Sequence, residues 1–257
     1  MNLLKRAIKA VVSISVLIVI WELIVLTGRF EKSLLPSPAV VFTGMSKMIM
    51  DGTLFSNLGV SIARFLTGYL LAVLVGVILG LLLGWNKNVW SYIDPIIQVL
   101  RPVSPIAWFP FIVLWFGIGD APAVVIIFIA AFYPILLSTV SGVGNVDAIY
   151  MKVADNFGIK QPELLFKIIL PSAFPLIANG LHLALGSAWV FLVAGEMVGA
   201  QSGLGFMIID ARNSLRSDLV LAGIIIIGIL GLLLDRLIRL LENRIKRQWG
   251  VTLEERI

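Results

Sequence analysis

Long uncharged runs alternate with short charged segments along the chain. Between consecutive charged residues, 65–86 holds 22 uncharged positions, 102–119 holds 18, 121–146 holds 26, 168–195 holds 28 and 219–234 holds 16. A helix crossing about 30 Å of hydrocarbon needs roughly 20 apolar residues, so these runs have the length of membrane spans. A further run, 10–28, is 19 residues interrupted only by Glu22. The last run extends to about Leu241, because Asp235, Arg236 and Arg239 fall where a helix end meets the interface. The pattern predicts an all-α, polytopic membrane helix bundle with six transmembrane helices. Lys5, Arg6 and Lys9 imitate the basic start of a signal peptide, but the apolar stretch to Leu26 is too long for one and no small-residue cleavage site follows, so a retained helix is expected.

Composition removes the soluble alternatives. The 257 residues are 59% hydrophobic and 14% charged, against about 45–50% and about 25% in a soluble domain. Such a chain has too little polar surface to face water all round. With no cysteine, disulfides, thiol nucleophiles and Cys-based zinc sites drop out. One histidine, His182, leaves at most one imidazole base, in an apolar stretch, so no catalytic residue and no metal site are expected and the chain is not read as an enzyme.

Fourteen of the twenty Lys and Arg residues fall on one side if the N-terminus is cytoplasmic, five fall outside, and Arg64 lies within a span. The inside set comprises Lys5, Arg6, Lys9, Lys87, Arg101, Lys152, Lys160, Lys167, Arg236, Arg239, Arg244, Lys246, Arg247 and Arg256. Both termini are therefore expected in the cytoplasm. The net charge of +5 is a topological signal, and its scatter over four segments gives no reason to expect a nucleic-acid partner.

Residues 30–57 form an outer segment. After Leu35-Pro36-Ser37-Pro38, Ser37 is expected to cap a short interfacial helix from Pro38 to about Met50, with Val40, Val41, Met45, Met48 and Ile49 at helical spacing. Gly76, Gly80 and Gly84 line one face of the second span and invite close packing, within the bundle or against another subunit. Pro102, Pro105 and Pro110 interrupt the third span and Pro122 and Pro134 the fourth, as in helices broken beside a cavity. On the cytoplasmic side, Ala154 and Gly158 lie four apart and leave a bare strip on a short helix. Gly158 is expected to end that helix in the left-handed conformation, with Pro162 in the first turn of the next. With Phe157 and Ile159 beside the strip, this helix suits docking into a groove of another protein.

That segment resembles the cytoplasmic loop of permease subunits of ATP-binding-cassette importers, whose pattern is Glu-Ala-Ala, Gly four residues after the second Ala, then Leu-Pro. The matching positions are Lys152, Val153, Ala154, Gly158, Leu170 and Pro171; Lys152 and Val153 depart from the pattern, and Lys152 removes an acid. Further stretches are similar to the nitrate, taurine and alkanesulfonate branch: Asp94-Pro95-Ile96-Ile97, Leu100 to Pro110, Trp115-Phe116-Gly117-Ile118-Gly119-Asp120, Ala194-Gly195-Glu196-Met197, Gly203-Leu204-Gly205-Phe206-Met207 and Ala211-Arg212. His182 stands where relatives commonly carry arginine in a Gly-Leu-Arg-x-Ala-Leu-Gly run.

The resemblance covers roughly 35–245. It implies a type I importer permease in the bacterial cytoplasmic membrane, a single domain over 1–257 with its core at 58–245 and an ATPase-docking loop at 147–171. The docking residues it implies are Lys152, Val153, Ala154, Phe157, Gly158, Ile159, Leu170 and Pro171. It further implies two ATPase subunits, a second permease copy as a homodimer, surrounding lipid, and an extracytoplasmic solute-binding protein meeting segments 30–57 and 200–217. The chain itself would bind no cofactor, with ATP and magnesium used by the ATPase. The Trp115 to Gly119 stretch resembles the sulfonate and taurine subgroup and points to a small anionic solute.

Ionisable groups inside the spans are costly unless paired or wetted, so they mark pairs or paths. A rise of about 1.5 Å per residue places Glu22, Arg64 and Glu196 in the outer half, Arg64 about two turns below the start of its span. Arg64 is expected to pair with Glu22 or Glu196, statically or as part of an outer gate, and reversal of both charges is expected to restore the pair. His182, near mid-bilayer, is a candidate for the translocation path or gate; a neutral, hydrogen-bonded bundle residue is expected in preference to a proton relay. Trp108 and Trp115 are seven apart and are candidates for one helix face along a translocation path, with core packing or interface anchoring the competing roles. The competing function class is an ion-coupled secondary transporter or channel acting without an ATPase, which would need its own ion-coupling groups and usually an internal repeat.

Overall fold

The computed structural model describes residues 2–29, 31, 33–160 and 162–248. Phe30 and Lys32 of the outer segment, Gln161 of the docking loop, and Met1 and 249–257 of the termini, Arg256 among them, lie outside these.

Ten helices are described, with no strand among the described residues. They are α1 (Asn2–Leu26), α2 (Pro38–Met50), α3 (Thr53–Trp85), α4 (Lys87–Leu100), α5 (Phe109–Phe116), α6 (Asp120–Gly144), α7 (Ala148–Asn156), α8 (Leu170–Gly199), α9 (Leu204–Asn213) and α10 (Ser217–Gln248). A 3-10 turn (Pro105–Trp108) leads into α5, and a π turn (Leu165–Ile169) leads into α8. Five helical stretches have the length and hydropathy of spans: Ile8–Leu26, Thr53–Trp85, Asp120–Gly144, Leu165–Gly199 and Ser217–Leu240.

The sixth crossing is bent. Lys87–Leu100 and Pro105–Phe116 meet at 85°, so the expected span 102–119 is not one helix. Pro102 and Pro105 remove backbone donors and disfavour helix before them, and the chain turns through Arg101–Ser104 instead of continuing. That the pair crosses follows from packing. The α carbons of α3 glycines face α6 so closely that a Cβ would lie 2.8 Å from Ile127 at Gly68, 2.9 Å from Ile135 at Gly76, 2.5 Å from Thr139 at Gly80 and 2.8 Å from Val143 at Gly84. Each contact is displaced by 59 residues, so α3 and α6 are parallel. The chain between them must return across the bundle, and residues 86–119 do so.

The other core pairs run antiparallel. Gly142 faces Ala173, Gly180 faces Ser138 and Gly195 faces Ala123 between α6 and α8. Trp189 Nε1 donates to Ile227 O at 3.3 Å between α8 and α10. The main core lies where these four helices meet and contains Phe65, Tyr69, Ile127, Ile135, Leu192 and Ile226. Tyr69 keeps its hydroxyl satisfied there by donating to Leu181 O at 2.8 Å. The glycine face of α3 is thus used inside the chain.

α1 stands apart: none of its span is buried, and Trp21 packs it against the core. α2 follows the expected bounds, but Ser37 makes no side-chain cap. Pro38 needs no donor at the first turn, and it is Val41, Gly44 and Met48 that are buried, while Val40 and Ile49 are exposed. Gly44 lets α2 approach Leu219 at the outer end of α10.

Candidate functional site

Two places gather the chemistry, one at each end of the core helices. At the outer end, Arg64 of α3 is 4% exposed and Glu196 of α8 is 1% exposed. Arg64 Nη1 donates to Glu196 Oε1 at 2.8 Å and to Ser202 O at 2.7 Å. Its Nε donates to Asp120 Oδ1 at 2.8 Å, its Nη2 donates to the same oxygen, and Nη2 also reaches Ser202 Oγ at 2.8 Å. One guanidinium therefore holds α3, the first residue of α6, the end of α8 and the loop that follows it. The planar fork of arginine is suited to joining that many acceptors.

Glu196 is itself enclosed by donors. Ser61 Oγ lies 2.8 and 2.9 Å from its two oxygens, and Gly205 N–H donates to Oε2 at 2.9 Å. Ser61 Oγ in turn accepts from Leu204 N–H at 2.8 Å, and Asn57 Oδ1 accepts from Gly203 N–H at 2.8 Å. A buried carboxylate demands such partners. The glycines make room: Gly203 adopts φ +105°, and a Cβ there would sit 2.5 Å from Glu196 Cδ; one at Gly205 would sit 2.7 Å from Glu196 Cβ. The Gly203-Leu204-Gly205 motif thus wraps the loop over the Glu196 carboxylate.

Depth also changes. α3 begins at Thr53, and Arg64 lies 21 residues from Trp85, about 32 Å along the axis. Counted from Thr53, Arg64 lies 11 residues, about three turns, below the start of its helix, while the Asp120 side chain is 74% exposed. Glu22 on α1 takes no part in the cluster. Ser61 and Ser202 escaped the sequence reading, and Asp120 figured there only as the end of the Trp115 to Asp120 stretch, although Ser61 is one turn before Arg64 and Asp120 opens the parallel helix at the same level.

At the inner end, α7 hangs between α6 and α8. Asp147 caps it, accepting from Ile149 N–H at 2.8 Å. Gly158 ends it at φ +66°, with Ile159 N–H donating to Ala154 O and Gly158 N–H to Asp155 O, both at 2.9 Å; this is the Schellman pattern. Ala154 is 1% exposed, which corrects the expectation of a bare Ala154–Gly158 strip: the Ala154 methyl faces its own bundle. The outward apolar face consists of Ile149, Tyr150, Val153 and Phe157, the last 78% exposed. Lys152 and Gly158 are exposed, while Ile159, Leu170 and Pro171 are half-buried. Met151 packs against the cluster formed by Val143, Ile169, Ala173 and Ile177.

The remaining sequence candidates do not join either site. Trp108 ends the 3-10 turn and Trp115 lies on α5, so they share no helix face; Trp115 is 70% exposed and tilts against Phe111 at 6.2 Å. His182 faces polar side chains of α10. Its Nε2 lies 2.9 Å from Asp235 Oδ1 and 3.3 Å from Arg239 Nη2, and its Nδ1 lies 3.8 Å from Glu242 Oε1. The histidine thus meets α10 chiefly at Asp235, with Glu242 nearby, which its apolar sequence neighbours did not reveal.

Residues 72–247 match the family model described as binding-protein-dependent transport system inner membrane component. The chain is 37% identical to SsuC of Bacillus subtilis, named as an aliphatic sulfonates transport permease protein, over 90% of this chain and 84% of that one. It is 34% identical to the taurine transport system permease protein TauC of Escherichia coli, over 91% and 86%. It is 35% identical to the nitrate import permease protein NrtB of Synechocystis, over 93% and 89%. The fold is shared with an inward-facing structure of the MetNI methionine ABC transporter, at a TM-score of 0.61 and 17% identity, over 79% of this chain and 98% of that one.

Proposed function

Because the chain belongs to the family of binding-protein-dependent transport inner membrane components, the multi-pass permease subunits of ATP-binding-cassette importers, we propose that it moves a small anion of the sulfonate, taurine or nitrate class inward. In this family ATP hydrolysis lies in separate subunits, and a solute-binding protein is a partner. The working assembly would hold two copies of this chain and two ATPases, with ATP and magnesium used by the ATPases and no cofactor on this chain.

One observation carries the coupling route: α7 presents an exposed apolar face while its other side is anchored. Phe157, Val153 and Ile149 project outward, while Ala154 is buried and Met151 packs against the apolar cluster of Val143, Ile169, Ala173 and Ile177. α6 and α8 approach closely at Gly142 and Gly180, so they move as one unit. Closure of an ATPase dimer on ATP draws α7 sideways, and the α6–α8 unit follows. At the far end, the Arg64 cluster keeps the outer tips of α3, α6 and α8 together, so that the motion tilts the unit instead of splaying it.

The solute class rests on the three named relatives. It is tested by reconstituting the chain with its ATPase and binding protein in vesicles and measuring uptake of labelled taurine, ethanesulfonate and nitrate. ATP-dependent uptake of at least one of them supports the proposal. Uptake by this chain alone on an ion gradient overturns it.

A further inference from the structure

We propose that the cytoplasmic half of the bundle contains an oxyanion subsite, built from the Arg101 guanidinium and the hydroxyls of Ser138 and Ser141. It deepens the solute-class reading above and rests on it. Arg101, Ser138 and Ser141 line one cavity of about 280 Å³, together with Pro134, Leu176 and Leu183. Ser138 lies six residues before the inner end of α6, and Leu176 six residues beyond the start of α8. With Ser141 three residues before the inner end of α6, the two hydroxyls lie about 5–9 Å in from the cytoplasmic end of that helix.

Three features make this more than a gap between helices. First, Arg101 has no carboxylate within 4 Å among the described residues, unlike Arg64, Arg216 and Arg239. An unpaired guanidinium at membrane depth is tolerated only where it is wetted or meets an anion. Second, Arg101 sits at the break in the third crossing, where α4 has ended and the 3-10 turn has not begun. Irregular backbone at that depth must be covered by protein or face a water-filled space.

Third, hydroxyl donors converge there. Ser138 has no hydrogen-bond partner among the described residues, and Ser141 Oγ accepts from Asn145 Nδ2 at 3.2 Å, so both O–H groups remain free to donate. Gly180 allows this arrangement: a Cβ there would sit 2.6 Å from Ser138 Oγ and 3.0 Å from Pro134 O. The volume is below the usual range for a drug-sized ligand and suits a small ion. A guanidinium fork with two hydroxyls matches the oxygens of a sulfonate or nitrate, and Leu176 and Leu183 supply an apolar wall for a short carbon tail.

The test exploits the absence of cysteine. Ser141→Cys places the only thiol of this chain in the cavity of the complete transporter. Its modification is followed by mass with two reagents, anionic 2-sulfonatoethyl methanethiosulfonate and cationic 2-(trimethylammonium)ethyl methanethiosulfonate, each normalised to its rate with a free thiol. The sulfonate reagent should react faster by about tenfold, and methanesulfonate should slow it. Arg101→Gln should bring the two rates within about twofold, while Arg101→Lys should retain most of the preference.

Equal rates in the Arg101 chain, an unchanged preference after Arg101→Gln, or a thiol that neither reagent reaches would each overturn the subsite. The last two are the results expected if Arg101 merely anchors the chain to lipid headgroups. A charge preference that depends on Arg101, in a transporter that takes up none of the three anions, would support the subsite and overturn the proposed solute class instead.

Discussion

Removing the Arg64 charge leaves Glu196 as a buried carboxylate without a cation. In the native cluster the pair is 2.8 Å apart, with side chains 4% and 0% exposed, and breaking such a pair from one side costs roughly 3–5 kcal/mol. The Asp120 arm adds little, because that side chain is 74% exposed and exposed pairs contribute about 0–1 kcal/mol. Arg64→Met should therefore destabilise the bundle by about 3–5 kcal/mol. Glu196→Gln keeps an oxygen for the Gly205 N–H and the Ser61 hydroxyl and leaves Arg64 paired with Asp120, so it should cost only about 1–2 kcal/mol. In the Glu196→Gln background no buried charge is stranded, and Arg64→Met should then cost at least about 2 kcal/mol less than it does in the native chain. The assay is a double-mutant cycle on the purified transporter in mild detergent, unfolded by titration with dodecyl sulfate. Additive effects, with coupling below about 0.5 kcal/mol, would refute the reasoning. Exchange of both charges is not expected to restore the cluster: the Gly205 N–H and the Ser61 hydroxyl would then point at a guanidinium, which accepts nothing.

Other outcomes follow from particular contacts. Gly80→Val should destabilise by at least about 1–3 kcal/mol, since its Cβ would sit 2.5 Å from Thr139, whereas Gly59→Ala, with nothing within 4 Å, should stabilise by roughly 0.5–1 kcal/mol; thermal unfolding in detergent separates the two. Phe157→Asp should leave the thermal midpoint nearly unchanged, because surface substitutions fall within about ±0.5 kcal/mol, but should abolish ATP-driven uptake; uptake at the native rate would remove Phe157 from the coupling face. Asp147→Ala should cost α7 about 1 kcal/mol through loss of its cap, seen as faster amide hydrogen exchange confined to 148–158; unchanged exchange there would show that the cap contributes nothing.

Much was legible in the linear pattern because the bilayer imposes a length. A run of 18 to 28 uncharged residues has few options other than crossing, so 65–86, 121–146 and 168–195 mark long helices, while 102–119 falls on the bent crossing, and 38–50 announced a short helix by its prolines and spacing. Gly158 declared a helix end because a left-handed residue there needs no side chain. The Ala154–Gly158 strip misled, because spacing identifies a helix face without saying which way it turns; Ala154 faces inward and Phe157 carries the exposed surface.

Composition and the spacing of charges by themselves indicated that lipid is the solvent and that the chain crosses it five or six times, since those are energies of single segments with their surroundings. The tertiary structure alone decided which charges meet. Arg64 and Glu196 are 132 residues apart, and their pairing with Asp120 depends on α3 and α6 being parallel, a relation set by side-chain packing along the glycine face. Likewise the acids around His182 come from another helix, and Arg101 counts as one more inside cation until the bend at Arg101–Ser104 turns it into a cavity. Interactions between segments depend on register and depth, which hydropathy along one strand of sequence does not encode.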